Sequence, residues 1–321
     1  MRVLSGDIGG THCRLALARL ESGRVELERV VRYRNQEHAG LDAILADFLA
    51  AGPVPEACCL AVAGPTDGRR VAFTNLNWRV DAEALARRFG FSRASLVNDF
   101  AAVGWGLDCL GPEQLAVLQA AEAMPGAPRV ALGAGTGLGV SLCARMGDHY
   151  RPLPSEGGHI GFAPVDAEQD RLLAFLRGRH GRVSVERILS GPGIVDLYRF
   201  RLAQAGLADS PLLAVPDPAP GISAAGLDGG EVHAAAALRL FAAILGQTAG
   251  DLALAARAGG GVYLAGGIAP QVLAALRAGP FLAGFHAKGR FSGWMEGVPV
   301  SVVLDPDVGL KGAAVAAAHS P

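Results

Sequence analysis

The chain has little that reacts or chelates. Its five cysteines, Cys13, Cys58, Cys59, Cys109 and Cys143, are scattered, odd in number and never in a CxxC spacing. That excludes a disulfide framework and a cysteine zinc site, and leaves small buried side chains as their reading. Charge of one sign is equally absent. Lys and Arg number 29 against 30 Asp and Glu, a formal net charge of −1. The basic residues are dispersed apart from short pairs such as Arg69-Arg70 and Arg87-Arg88, which read as solvated surface, so no nucleic-acid partner is expected. No stretch approaches the ~18 apolar residues of a membrane span, and no basic-then-apolar leader opens the chain. We therefore expect a cytoplasmic protein with no membrane partner.

Familiar nucleotide motifs are missing too. A Walker A loop requires Gly-Lys-Ser or Gly-Lys-Thr opening a helix, and neither tripeptide occurs. The Rossmann GxGxxG spacing between strand and helix is not met, and there is no His-Arg-Asp or Asp-Phe-Gly of a protein kinase. What the chain does contain is two glycine-rich segments of one build, Gly6-Asp7-Ile8-Gly9-Gly10-Thr11 and Gly133-Ala134-Gly135-Thr136-Gly137-Leu138-Gly139. Each follows a short apolar run and precedes an alternating one, which reads as strand, tight turn, strand. Glycine admits positive φ and lets amide N–H groups crowd a ligand, and Thr adds a hydroxyl donor. One such turn is ordinary in any β protein; two can hold one polyphosphate from both sides.

With 321 residues, half of them hydrophobic, the chain can bury a sizeable core, and its length favours two domains. After the first hairpin we predict a strand at 25–33 and a helix in which Leu41, Ile44, Leu45, Phe48 and Leu49 share a face, stopped at Gly52-Pro53. Strands follow at 58–62 and 71–73 with a turn at 64–68 between them, then a helix capped by Asp81 and ended by Gly90, and a strand at 94–97. Strands and helices in alternation imply an α/β first domain. The Pro/Gly-rich stretch 210–230 reads as a long surface loop. A buried helix through Leu238–Leu252, a strand at 262–265 running into Gly266-Gly267, a strand at 300–304 and an Ala-rich terminal helix complete the chain. That last helix is expected to return to the first domain.

Two polar groups suggest chemistry, and a third carries no local sign of it. Asp99 closes the 94–97 strand and precedes a short helix, where an N-cap role is as good a reading as catalysis. Glu156 and His159 flank a diglycine that lets both face one point. Glu186, at a predicted helical position, reads as an ordinary exposed glutamate.

The motifs GDIGGT from Gly6, LVNDF from Leu96, GAGTGLG from Gly133, SEGGH from Ser155, SVERILSGPG from Ser184, LAGGI from Leu264 and KGRF from Lys288 occur in order along nearly the whole chain. Together they resemble the bacterial ATP-dependent glucokinase family. The resemblance implies the two-lobed actin-like ATPase (ribonuclease H-like) sugar kinase fold, α/β with a central cleft. It implies a small α/β domain of 1–108 plus 305–321 and a large α+β domain of 109–304. It further implies a homodimer, with glucose and ATP as substrates and Mg²⁺ as cofactor. Position by position, Gly6, Asp7, Ile8, Gly9, Gly10 and Thr11, and then Gly133, Gly135, Thr136 and Gly137, resemble the phosphate loops. Gly266 and Gly267 resemble the adenosine contact, and Asp7 the carboxylate that holds Mg²⁺ through water. Asn98, Asp99, Glu156, His159 and Glu186 match sugar-binding positions, with Asp99 as the catalytic base. Ile160-Gly161-Phe162-Ala163-Pro164 stands where the neighbouring repressor and sugar-kinase family carries its cysteine-rich zinc motif, which favours the zinc-free branch. His12 replaces the usual Asn beyond the first turn. Another hexose, an amino sugar, or a non-catalytic sugar-sensing role are the alternatives.

Overall fold

The structure, a computed structural model, describes every residue except Ser22, Pro65, Thr74, Asn75, Asn77, Pro154, Ser320 and Pro321; Pro65 of the predicted 64–68 turn thus lies outside the described residues. In chain order come β1 (Arg2–Ile8), β2 (His12–Glu21), β3 (Arg24–Arg34), α1 (Leu41–Leu49), β4 (Ala57–Val62), β5 (Arg70–Ala72), β6 (Arg79–Asp81), α2 (Ala82–Phe89), β7 (Arg93–Asn98) and α3 (Asp99–Gly106). They are followed by β8 (Leu115–Gln119), β9 (Arg129–Ala134), β10 (Leu138–Met146), β11 (His149–Leu153), α4 (Ala167–His180), α5 (Gly191–Gln204), α6 (Pro218–Leu227), α7 (Val232–Ala256) and β12 (Val262–Ala265). The short helices α8 (Ile268–Gln271), α9 (Leu273–Arg277), α10 (Pro280–His286) and α11 (Ser292–Glu296) lead to β13 (Val300–Val303) and α12 (Val308–His319). Two compact units result, Met1–Pro112 with Met146–Pro154 and Asp305–Pro321, and Glu113–Arg145 with Ser155–Leu304.

In the first unit the sheet runs β3-β2-β1-β4-β7. The hairpin β1–β2 is antiparallel, and β1, β4 and β7 are parallel. All six residues of β4 are buried, as a parallel strand covered on both faces must be. Its alternation separates two cores. Cys58, Leu60 and Val62 meet Leu41, Ile44, Leu45 and Phe48 of α1, whereas Ala57, Cys59 and Ala61 meet Ala102 of α3 and Ala313, Ala314, Ala316 and Ala317 of α12. Small residues on that face bring two helices close to the sheet and to each other. A Cβ on Gly312 would lie 1.7 Å from the Ala102 carbonyl oxygen, and one on Gly106 would lie 2.2 Å from that of Val308. The caps agree with the sequence: Asp81 accepts from the Ala84 N–H at 3.0 Å, and Gly90 is left-handed with φ 80°.

In the second unit the strands lie in the order β10-β9-β12-β13-β8. Strands β9, β12 and β13 are parallel, and β9–β10 is an antiparallel hairpin. Helix α7 packs on α5, α6 and α10. By length and composition it passes as a membrane span, with a mean hydropathy of 1.3, but 67% of that window is buried among its neighbours, as in a core helix. The stretch 210–230 is not a loop. It holds a 3₁₀ turn, Pro211–Leu213, and α6, which buries Ala219, Ile222 and Ser223. Proline at the first helical position is preorganised for a helix start. Gly226, whose Cβ would lie 2.8 Å from the Ala234 carbonyl oxygen, lets α6 approach α7; glycine and proline there serve helix packing.

Candidate active site

The first glycine turn joins β1 to β2. The Gly9 N–H donates to the His12 carbonyl at 3.0 Å, and Asn35, at the end of β3, braces the outside. Its backbone N–H donates to Thr11 O at 3.0 Å and its side-chain amide to Gly9 O at 2.8 Å. Asn35 is 2% exposed, and a lone Asn after a strand carried no signal in the sequence. Gly6 lies within β1, where a Cβ would meet Leu60 and Leu15 side chains at 2.6 and 2.9 Å. Neither Gly9, Gly135 nor Gly137 has positive φ; a Cβ on Gly9 would lie 3.2 Å from the His12 carbonyl oxygen, whereas one on Gly135 would meet nothing within 4 Å.

Asp7 points its Oδ2 at the Arg14 guanidinium, 3.1 Å away, and Arg14 also donates to Asp307 at 2.8 Å and to the Pro306 carbonyl at 2.9 Å. Arg14 thereby ties the segment before α12 to β1. Asp307 carried no mark of this role in the sequence, because its partner Arg14 is almost the whole chain away. Mg²⁺ is held through few carboxylates, with water and phosphate oxygens completing its octahedron. Asp7, with 36% of its side chain exposed, fits that demand. Among the described residues no three His, Cys, Asp or Glu side chains form a protein-only cage.

Asn98 and Asp99 stand where β7 meets α3. The register Ile8↔Val62 and Val62↔Asn98 puts them on the same edge of the sheet as the first turn, at the carboxyl ends of parallel strands, where α/β proteins bind ligands. β1 and β7 are two strand spacings apart, about 9.6 Å. The sequence left a capping role open for Asp99, but the cap is Asn98. Its Oδ1 accepts from the N–H groups of Phe100 and Ala101 at 2.9 and 3.2 Å, and Asp99 is the first helical residue. Asp99 Oδ1 also accepts from the Phe100 N–H at 2.9 Å. Its carboxylate sits at the positive end of the α3 dipole.

In the second unit four sequence motifs meet around one turn. Gly135 N–H donates to Gly137 O, and Gly135 O accepts from the N–H of Gly191, the first residue of α5, both at 2.8 Å. Gly266, with φ +78°, follows β12; a Cβ there would lie 2.7 Å from the Ala134 carbonyl oxygen, whereas one on Gly267 would meet nothing within 4 Å. Glu186 belongs to a single 3₁₀ turn, Val185–Arg187, and not to a longer helix. Its Oε2 accepts from the Leu138 N–H at 3.0 Å, and its Oε1 lies 3.8 Å from His159 Nδ1. That separation is too long for a hydrogen bond. An oxygen about 2.8 Å from each fits between them, donating to the carboxylate while meeting the imidazole nitrogen. His159 sits in the 3₁₀ turn Gly157–His159, seated because Gly158 lies against Leu138, where a Cβ would be 2.0 Å from the carbonyl oxygen. Glu156 is exposed, and its carboxylate has no partner among the described residues. Thus His159 and Glu186 come together, and Glu156 stands beside them in sequence with its carboxylate open to solvent.

Lys288 of the KGRF stretch is 6% exposed and donates to Gln247 O at 2.9 Å and Asp251 Oδ1 at 2.6 Å. The Gln247 side chain in turn donates to Ala163 O at 2.6 Å, holding the segment that follows His159. This is bracing rather than ligand chemistry.

A glucokinase sequence profile matches residues 4–320. The glucokinase of Marinobacter nauticus is 40% identical over 319 residues, 99% of this chain and 97% of that protein. Among solved structures, glucokinase from an Antarctic psychrotroph has a TM-score of 0.89 at 33% identity, with 99% of each chain covered. A ROK family glucokinase from Streptomyces griseus, solved with glucose and AMPPNP, shares the fold at a TM-score of 0.67 and 21% identity, over 100% of both chains. With a family profile and a 40% identical relative both spanning nearly its full length, the chain belongs to the glucokinase family, enzymes of ATP-dependent glucose phosphorylation.

Proposed function

We propose that this protein transfers the γ-phosphoryl group of ATP to the 6-hydroxyl of glucose, giving glucose 6-phosphate and ADP, with Asp99 as the base. The observation that carries the assignment of roles is the Glu186 carboxylate seated on the Leu138 N–H: a hydroxyl-binding group built onto a glycine turn suited to phosphate. Phosphoryl transfer passes through a loose transition state, so positioning and charge neutralisation dominate. The amides of Gly10 and Thr11 and of Thr136 and Gly137, with the hydroxyls of Thr11 and Thr136, are the phosphate donors in this reading; the Gly9 and Gly135 N–H groups close the turns themselves. Gly266-Gly267 borders the adenosine. Bound Mg²⁺ would neutralise phosphate charge, and Asp7 would hold it through water. Asn98, Glu156, His159 and Glu186 take the remaining sugar hydroxyls.

Alignment of the attacking oxygen with phosphorus supplies about 7 to 11 kcal/mol of barrier reduction. Proton removal by Asp99 supplies a further ~10²- to 10⁴-fold. Positioning therefore outweighs base strength. Each charge-assisted hydroxyl bond contributes roughly 1.5 to 3 kcal/mol, and a sugar lacking that hydroxyl leaves a carboxylate unpaired.

A coupled assay across glucose, mannose, fructose and N-acetylglucosamine tests the substrate. Glucose should give the highest kcat/KM. A higher value for another sugar reassigns the substrate, and sugar binding without product points to a sensing role. The same reading includes a cytoplasmic homodimer, checked by sedimentation and cell fractionation.

A further inference from the structure

The second glycine turn carries a constraint that phosphate binding does not explain. A Cβ on Gly135 would meet nothing within 4 Å, yet one on Gly137 would lie 2.5 Å from Glu186 Oε2 and 3.2 Å from its Cδ. The neighbouring Leu138 N–H then fixes that oxygen at 3.0 Å. The carboxylate occupies the space a side chain at residue 137 would take.

We infer that Gly137 is a positioning residue for the sugar, and that glucose and nucleotide occupancy are linked through the Gly137–Leu138–Glu186 contact. The inference rests on the assignment of Glu186 to the sugar site. With Oε2 held by the turn, the carboxylate plane is set and Oε1 is the free acceptor, facing His159 Nδ1 at 3.8 Å. Nucleotide phosphates that order the turn also order the acceptor, so glucose binds more tightly to the nucleotide complex. By thermodynamic reciprocity nucleotide binds more tightly to the glucose complex by the same factor.

Gly137→Ala separates this from a phosphate role. The atom in the way is the far end of a flexible side chain, so the chain still folds. The carboxylate must move, however, by about 0.9 Å to regain ordinary contact, and it leaves the Leu138 N–H. Loss of one charge-assisted acceptor geometry corresponds to about tenfold to hundredfold in affinity.

Calorimetric titration of glucose in the absence of nucleotide is the test, on wild type, Gly137→Ala, Gly135→Ala, Glu186→Ala and the double variant Gly137→Ala/Glu186→Ala. Expected are a glucose Kd raised at least tenfold in Gly137→Ala with an unchanged Tm, an unchanged Kd in Gly135→Ala, and a double variant no weaker than Glu186→Ala alone. A Gly137→Ala Kd within twofold of wild type, or additive losses in the double variant, overturns the inference and leaves the sugar site standing. If Glu186→Ala itself binds glucose as wild type does, the assignment of Glu186 falls. Titrating AMPPNP with and without saturating glucose reads the linkage, which should be present in wild type and reduced in Gly137→Ala; equal linkage in both also counts against it.

Discussion

Gly312→Ala adds one methyl group on α12, away from every residue assigned to substrate, and should nonetheless disable the enzyme. The new Cβ would lie 1.7 Å from the Ala102 carbonyl oxygen, 2.6 Å from Gly106 N and 2.8 Å from Ala102 C. All three are backbone atoms, so no side chain can turn aside. Helix α3 must move off α12 by about 1.5 Å to restore van der Waals separation. The opposite face offers no relief, since Ala313, Ala314, Ala316 and Ala317 already pack on Ala57, Cys59 and Ala61 of the sheet. Overpacking of this kind costs about 1 to 3 kcal/mol. Because α3 begins with Asp99, the same shift misplaces the base, and an error of about 1 Å in a reacting group costs on the order of 10²-fold in rate. The expected outcome is a lower Tm together with a kcat reduced about a hundredfold in a glucose 6-phosphate-coupled assay. Gly309→Ala, on the same helix, is the control: its Cβ meets nothing within 4 Å, and replacing a helical glycine adds up to about 1 kcal/mol of stability. Wild-type kcat and Tm in Gly312→Ala would refute the argument that this helix pair positions Asp99.

Two further outcomes follow from single residues. Asp99→Asn should retain the fold while losing about 10²- to 10⁴-fold in kcat; near-normal turnover removes Asp99 from the base role. Burial pushes the Cys59 thiol up to about 12, and burial together with nearby Asp7 pushes Cys13 to about 12. Native thiols therefore stay protonated where those of the unfolded chain ionise. For a neutral acid whose folded pKa is raised, the stabilisation is complete below the unfolded value near 9 and is lost as pH rises from there toward 12. Urea midpoints should fall between pH 8 and pH 10, and less steeply in Cys59→Ala. A thiol reagent at pH 8 should label the native enzyme far more slowly than the unfolded one, and equal rates would contradict the burial.

Local features were legible where the chemistry is local. Both hairpins, the Asp81 cap, the Gly90 stop and the α1 face follow from glycine, carboxylate and apolar spacing within a few residues. Helix α6 was hidden because Pro218, Pro220, Gly221 and Gly226 signal a loop, and only burial against neighbouring helices overrides them. At 98–99 two capping residues stand in tandem, and a shift of one residue decides which caps and which is left for chemistry. Arg14 with Asp307, and Asn35 with Gly9, join positions that no window contains. Glu186 had no local mark at all, since its significance lies in the Leu138 N–H, reached across 48 residues.

The glycines that the sequence groups together as nucleotide-binding divide in space by what a methyl group would meet, and stability should divide with them. At Gly6 the neighbours are the side chains of Leu60 and Leu15, both 0% exposed, so alanine there overpacks, at about 1 to 3 kcal/mol. At Gly266 the neighbour is the Ala134 backbone and φ is +78°, so alanine adds left-handed strain of roughly 1 to 2 kcal/mol to a clash that cannot relax. Gly135 and Gly267 have open space instead. Alanine at either should leave Tm near wild type and act on the nucleotide alone, raising KM for ATP by excluding it from the backbone. Measuring Tm and KM for ATP across the four variants therefore separates glycines kept for packing from glycines kept for access. If Gly266→Ala proved as stable as wild type, or Gly267→Ala unfolded early, the sorting would fail. The close approach of β12 to β9 would then no longer explain why that diglycine begins with a left-handed residue.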